Sequence, residues 1–263
     1  KPDSAVYFAK KAIQFAENWR YPYTNVAYSY RKMNNQDSAM AYYKKAIEID
    51  PNNADGYVDM GKYYYTLRMK EKAIEYYQKA LEIDASNVFA HNNLGWIYKE
   101  MNQLDNAIKH FQRSIEIDPV FFNSYNGLAK TFIVQKQYDS ARLYYDKALV
   151  NYPDKLMGNN YMADYFTEMQ QYDSAQVYFA KALRYDPQDF LTFMNLARFY
   201  KNKRQLDSAI IYLNTALHLN PSNVVVYNQL GLVYQELKQF DSATYYMSIA
   251  ATMNPTYTPA FNN

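Results

Sequence analysis

A proline recurs every 34 residues along this chain, at Pro119, Pro153, Pro187, Pro221 and Pro255. Pro51 lies two periods before Pro119, and Ala85 fills the one missing place. The stretch from Tyr125 to Pro153 shows what travels with the proline: an aromatic, Leu-Ala, an aromatic, Ala, an aromatic, Ala, then Pro. The same order returns when the sequence is shifted by 34 in either direction. Self-similarity at a fixed period of this length means stacked structural units, none of which buries its apolar face alone. That constraint overrides the usual reading of 263 residues as one or two globular domains.

With the proline at position 32, seven full units align: 20–53, 54–87, 88–121, 122–155, 156–189, 190–223 and 224–257. Position 8 is always small (Ala27, Gly61, Gly95, Ala129, Ala163, Ala197, Gly231), and position 11 is always aromatic. Position 20 is alanine throughout: Ala39, Ala73, Ala107, Ala141, Ala175, Ala209 and Ala243. Apolar positions 4, 7, 8 and 11 form the i, i+3, i+4, i+7 stripe of an amphipathic helix. Positions 20, 24 and 27 form a second stripe, so each unit is predicted to be two helices joined by a short polar turn. Small residues at 8 and 20 let the two backbones approach, and a larger residue at Ala141 should cost about 1–3 kcal/mol by overpacking. The proline is expected to end the second helix. Aspartate at position 18 suits the positive end of that helix.

These residues resemble a known family. The order aromatic-x2-Leu-(Gly/Ala)-x2-aromatic, Ala-x3-aromatic-x2-Ala, Pro at 34-residue spacing is similar to the tetratricopeptide repeat, over residues 20–257. Departures are local: Ala85 for proline, Ser114 at position 27, and Asn159 at position 4 after Gly158. The resemblance implies an all-α, right-handed α-solenoid superhelix of stacked antiparallel helix pairs. Residues 1–19 read as the second helix of a truncated preceding repeat, because Asp3-Ser4-Ala5 matches Asp37-Ser38-Ala39. Residues 258–263 read as the start of a truncated eighth, with Phe261 at position 4. A solenoid usually ends in a polar cap, so the chain is expected to be a fragment of a longer protein.

Hydrophobic residues make up 49% of the chain and aromatics 18%, ample for burial, which excludes disorder. The 28 basic and 26 acidic side chains nearly cancel, leaving no electrostatic footprint for nucleic acid or an anionic membrane. No stretch approaches the 18 or so consecutive apolar residues of a membrane span. The absence of cysteine removes disulfides, thiolate metal sites and thiol nucleophiles, yet chooses no compartment. His91 falls on a core position, and His110 and His218 lie on second helices of different repeats, so no shared metal site is expected. Phosphate loops, zinc-protease and serine-hydrolase signatures are all missing. Neither catalysis nor a cofactor is expected. The 31 tyrosines invite a base-stacking reading, but most sit at positions 4, 11, 23 and 24, where helix packing accounts for them.

In the family this chain resembles, the first helix of each repeat lines a concave groove through positions 2, 5, 6, 9, 12 and 13. Position 5 carries Asn92, Asn126, Asn160 and Asn228, and such a row of amides would suit the backbone of an extended peptide. Asparagine ladders occur in some tetratricopeptide superhelices, although at position 6. The competing reading is that asparagine here is merely solvated. A second cluster joins Lys62, Lys99 and Lys130 around Trp96, with Tyr65 and Phe89, as a pocket for an acidic peptide. Asp164, Glu168 and Glu100 then reverse the sign, and Arg198 with Lys201 reverse it again. No repeat pairs Lys at 5 with Asn at 9, the clamp of the chaperone-binding members.

The expected function is a non-enzymatic scaffold that holds an extended peptide or a partner helix along repeats 3–6. The alternatives are the regulatory or targeting arm of a multidomain enzyme or signalling protein, and weak end-to-end self-association. Neither nucleic acid nor membrane insertion is expected of this segment.

Overall fold

The structure is a computed structural model, and it describes residues 2–15, 17–151 and 155–253. Its described residues form fifteen α-helices and no strand. They pack as two compact units, residues 1–144 and 145–263. The first contains α1 (Pro2–Phe15), α2 (Arg20–Lys32), α3 (Gln36–Ile49), α4 (Ala54–Thr66), α5 (Lys70–Ile83), α6 (Val88–Glu100), α7 (Leu104–Ile117) and α8 (Phe122–Val134). The boundary falls within α9 (Tyr138–Asn151). The second continues with α10 (Lys155–Glu168), α11 (Tyr172–Tyr185), α12 (Phe190–Asn202), α13 (Leu206–Leu219), α14 (Val224–Glu236) and α15 (Phe240–Met253).

Helices pair as neighbours in sequence: α2 on α3, α4 on α5 and α6 on α7 in the first unit, α10 on α11, α12 on α13 and α14 on α15 in the second. Within the units successive pairs also lean on one another, through α3 on α4, α5 on α6 and α13 on α14. First helices meet the first helix of the following pair, as α4 meets α6 and α10 meets α12. The small residues sit where the backbones come closest. Ala39, Ala73, Ala107, Ala141, Ala175 and Ala209 are completely buried, and so are Val26, Met60, Leu94, Leu128, Met162 and Leu230.

The turn inside each pair was not legible in the sequence. Asn34, Arg68, Asn102, Lys136, Gln170, Arg204 and Lys238, one per unit at position 15, all lie in the left-handed region with φ between 57° and 62°. None is glycine, so each carries a Cβ where the backbone disfavours one.

The stop after each second helix needs revision. α3 ends at Ile49 before Pro51, but α5 ends at the equivalent Ile83 although Ala85 replaces the proline. What the two share is the C-cap aspartate. Asp84 accepts from the Ser86 N–H at 2.9 Å, Asp118 from the Val120 N–H at 3.0 Å and Asp186 from the Gln188 N–H at 2.9 Å. A carboxylate that mimics a backbone turn ends the helix on its own account, and the proline reinforces it. Asn53, Asn87, Asp189 and Asn223 then cap the following first helix by accepting from its free N–H groups.

Candidate functional site

The outward face of the first helices begins where packing stops. In α6, Ala90, Leu94, Gly95 and Ile97 are buried, which turns Phe89 outward and leaves Trp96 half-buried at the edge of the core. Trp96 is held edge-on against Phe111 of α7, with ring centroids 5.5 Å apart. Phe111 is itself completely buried between two glycines. A Cβ on Gly95 would come within 2.7 Å of its ring, and one on Gly127 within 2.3 Å. The backbone of α6 and α8 thus grips the ring that positions the tryptophan.

Around these rings the first unit gathers most of the residues singled out from the sequence. The Lys62 ammonium lies 5.4 Å from the centre of Phe89 and 3.7 Å from Asp59. Lys99 lies 5.6 Å from the centre of Trp96, and Phe89 meets Phe121 edge to face at 5.4 Å. Tyr65 donates its hydroxyl to Glu100 of the next pair, and Lys70 closes on the same carboxylate at 2.9 Å. Burial and that carboxylate push the Tyr65 hydroxyl up to about 12. Burial would raise Glu100, but the bonds from Tyr65 and Lys70 outweigh it and hold the carboxylate below its usual range. Lys130 is half-buried on α8.

The asparagine row is corrected by the structure. Asn92, Asn126, Asn160 and Asn228 are buried, not presented to a groove. Asn92 accepts from the Ser124 hydroxyl at 3.2 Å, and Ser124 lies 2.6 Å from the hydroxyl of Ser114. Asn160 donates to Thr192 at 2.8 Å and to Asp189 at 3.2 Å. Asn92 and Asn160 thus tie their own helix to the first helix of the next pair within the same unit. The signal was the hydroxyl at position 3 of the following repeat, Ser124 or Thr192, and Ser114 is polar because it joins that network. Asn160 and Asn228 each keep one buried carbonyl oxygen without a hydrogen-bond partner.

In the second unit, Arg198 reaches back 34 residues to pair with the buried Asp164 and also meets Asn195 at 3.3 Å. Lys201 pairs with Glu236 at 2.8 Å, with Arg204 3.8 Å from the same carboxylate. Arg198 and Lys201 line one recess of about 410 Å³ between α12 and α14, walled by Met194, Asn195, Val225 and Gln229. Lys201 to Glu236 repeats the register of Tyr65 to Glu100, 35 residues apart in both units. Glu100 was read from the sequence as a change of sign, and Glu236 was not noticed. Both are the anchors of that register.

Two of the histidines meet inside one pair. His91 Nδ1 lies 3.0 Å from His110 Nδ1, and His91 Nε2 lies 3.2 Å from the Ala85 carbonyl. A carbonyl only accepts, so His91 Nε2 donates and its Nδ1 accepts from His110. Burial lowers both rings, His110 to about 4, and the His91 charge adds to the effect. The pairing of positions 4 and 23 was visible in the tyrosines, at Tyr23 and Tyr42 for instance, but was not applied to these residues.

These helix-pair stacks with outward first-helix faces define an all-α solenoid of the protein-interaction type. The chain belongs to the tetratricopeptide-repeat family. Tetratricopeptide models match residues 54–87 and 88–121, 27–67, and 166–222. Among solved structures, yeast Tom70 is 18% identical over 97% of this chain and 55% of its own, with a TM-score of 0.73. A tetratricopeptide repeat protein from Parabacteroides merdae is 16% identical, covering 92% of this chain and 95% of its own, with a TM-score of 0.66. Pseudomonas aeruginosa pilF is 23% identical over 84% of this chain and 96% of its own, with a TM-score of 0.57. At these identities the likeness concerns the fold. A search of curated proteins returns no match. Proteins of this family are generally protein-interaction scaffolds, typically without catalysis of their own. No helix among the described residues is long and apolar enough to cross a membrane.

Proposed function

We propose that the chain is a scaffold whose first-helix faces hold a segment of a partner protein, as an extended peptide or a helix. The observation that carries this reading is that two rings on α6 each have a lysine beside them, Lys62 at Phe89 and Lys99 at Trp96. Phe89 is 49% exposed, so packing leaves that ring available, while Trp96 is half-buried against Phe111. Aromatic anchors beside cations suit a segment with apolar and acidic side chains. The recess beside Arg198 and Lys201 supports a separate contact in the second unit, where each cation already has an anion and a neutral polar side chain fits better.

A phage-displayed peptide library selected on the whole chain tests this. Selected peptides should lose at least about tenfold in affinity for a Phe89→Ala/Trp96→Ala variant, as removal of a paired aromatic anchor does elsewhere. Equal affinity for a folded variant would sink the reading. A second reading, self-association, is favoured by α1, where Tyr7, Phe8 and Phe15 are 62%, 66% and 84% exposed. Light scattering across a dilution series decides it, and a constant monomer mass would end that alternative. Phe261, the other residue expected to contribute, lies outside the described residues.

A further inference from the structure

We propose that the cavity beside Asn159, on the second-helix side of α10 and α11, is a binding site for a small aromatic acid. The argument begins with what fills this place elsewhere. In other pairs, an aromatic at position 4 faces the ring at position 23: Tyr23 and Tyr42 at 6.4 Å, Phe193 and Tyr212 at 6.3 Å, Tyr227 and Tyr246 at 6.4 Å. The hydroxyls of Tyr23, Tyr57, Tyr125 and Tyr227 also donate to the carbonyl six residues earlier. That ring therefore belongs to the design of the unit.

In α10 the position holds Asn159, which is buried but too short to replace a ring. Its amide turns back and donates to the Lys155 carbonyl at 2.6 Å. Tyr178, the position-23 ring, keeps its stack on Phe166 at 5.4 Å and has no position-4 partner ring. The space left open is a cavity of about 530 Å³, within the range of small-molecule sites. Leu149, Tyr178 and Tyr185 supply apolar wall, and Lys155, Lys181 and Arg184 supply charge, with no acid among the described lining residues.

The two halves of that lining select the ligand. The space against Tyr178 and Leu149, where other pairs seat the position-4 ring, takes an aromatic group by the packing that those pairs make internally. Three cations beside it, with Lys181 4.5 Å from the centre of Tyr178 and Arg184 exposed at the rim, take a carboxylate or phosphate on that ring. Lys155 is the least available of the three, because its ammonium already bonds the carbonyls of Leu149 and Val150. Arg184 and Lys181 are assigned the acid group. An inorganic anion would leave that space empty, and an uncharged ring would leave the cations unanswered.

Calorimetric titration of the whole chain with phenyl phosphate and with phenylacetate tests the site, with inorganic phosphate and benzyl alcohol as controls. Both aromatic acids should bind saturably, and each control at least about tenfold more weakly, since it makes only half of the contacts. Asn159→Tyr restores the internal ring and should abolish binding, while Arg184→Gln should weaken it about tenfold. The Phe89→Ala/Trp96→Ala variant should bind like wild type, which separates this site from the partner-binding face. No saturable binding by either acid, equal binding by a control, or unchanged binding in Asn159→Tyr each overturns the proposal. Should Asn159→Tyr fail to fold, the Lys181→Gln/Arg184→Gln variant decides, and an affinity equal to wild type there overturns it too.

Discussion

The two units build the same register from different chemistry. In the first, position 12 is Tyr65, a neutral donor to Glu100; in the second it is Lys201, an ammonium paired with Glu236. At position 9 the first unit places Lys62 and Trp96 among rings, whereas the second places Arg198 on a buried Asp164. Lys62 and Lys99 of the first unit thus lie over rings, with Asp59 also near Lys62, whereas Arg198 and Lys201 of the second lie on carboxylates. One backbone plan accepts either because the signature positions lie on the other side of the helix. The difference teaches that the face is free to diverge once position 8 and position 20 are small.

The most disruptive way to break the comparison is at a glycine. Gly127→Ala would drive a Cβ to within 2.3 Å of the Phe111 ring, which Gly95 blocks from the far side, and should cost about 3 kcal/mol in chemical denaturation. A glycine of the second unit, Gly231, meets Met247 Cγ at 2.6 Å and the Ala243 carbonyl oxygen at 3.3 Å, and Gly231→Ala should cost less, about 1–2 kcal/mol, because a methionine repacks more easily than a wedged ring. Equal losses would mean that the ring in the first unit is not wedged.

Ion pairs give the next largest contrast. Arg198→Ala removes the guanidinium from a buried carboxylate and should cost about 2 kcal/mol, a figure reduced because the arginine is half-exposed. Lys70→Ala, at the better solvated Glu100, should cost no more than about 0.5 kcal/mol. Urea midpoints of the two variants would show whether the units differ in this way.

Asn160→Ala should lower stability by about 1 kcal/mol, because Thr192 and Asp189 lose a buried donor. Asn228→Ala should cost less, since the described residues show no bond from its amide like those Asn160 makes to Thr192 and Asp189. Peptide affinity, measured where both variants are fully folded, should not change. A loss of affinity at full folding would restore the asparagines to the groove.

The smallest effect concerns acid. Above the ordinary histidine value of 6.5, His91 and His110 are neutral in the folded and unfolded chain alike, and they contribute no pH dependence. As pH falls from 6.5 towards about 4, the unfolded chain takes up protons that the folded pair resists, so stability declines. Below about 4 His110 is protonated in both states, and its part of the decline levels off. Melting temperatures of wild type and His91→Tyr/His110→Tyr across this window should converge at neutral pH and separate in acid, with wild type the lower. Parallel curves would show that the pair carries no penalty.

Much of the fold was legible because burial repeats. Ala39 to Ala243 and Val26 to Leu230 had to face inward, and they do. The face was harder, because a helical stripe does not say which of its edges meets solvent and which meets the next repeat. Position 5 falls on that second edge, which is why Asn92 and Asn160 lie between helices. The meeting of His91 and His110 is hidden for a related reason: the sequence spacing of 19 residues conceals that two antiparallel helices bring positions 4 and 23 together. The left-handed turns were hidden because the chain does not mark them with glycine.

Those turns have a practical consequence. Seven residues, from Asn34 to Lys238, each hold a backbone conformation that a side chain opposes. Replacing one by glycine relieves that opposition but frees the unfolded chain, so the net gain is a few tenths of a kcal/mol to about 1 kcal/mol. The sites sit one to a turn, between the helices of a pair, and none was assigned to a binding face. Thermal tolerance of this chain is therefore adjustable in small, separate increments while recognition is held constant, with Asn34 and Asn102 gaining least because asparagine already tolerates the conformation.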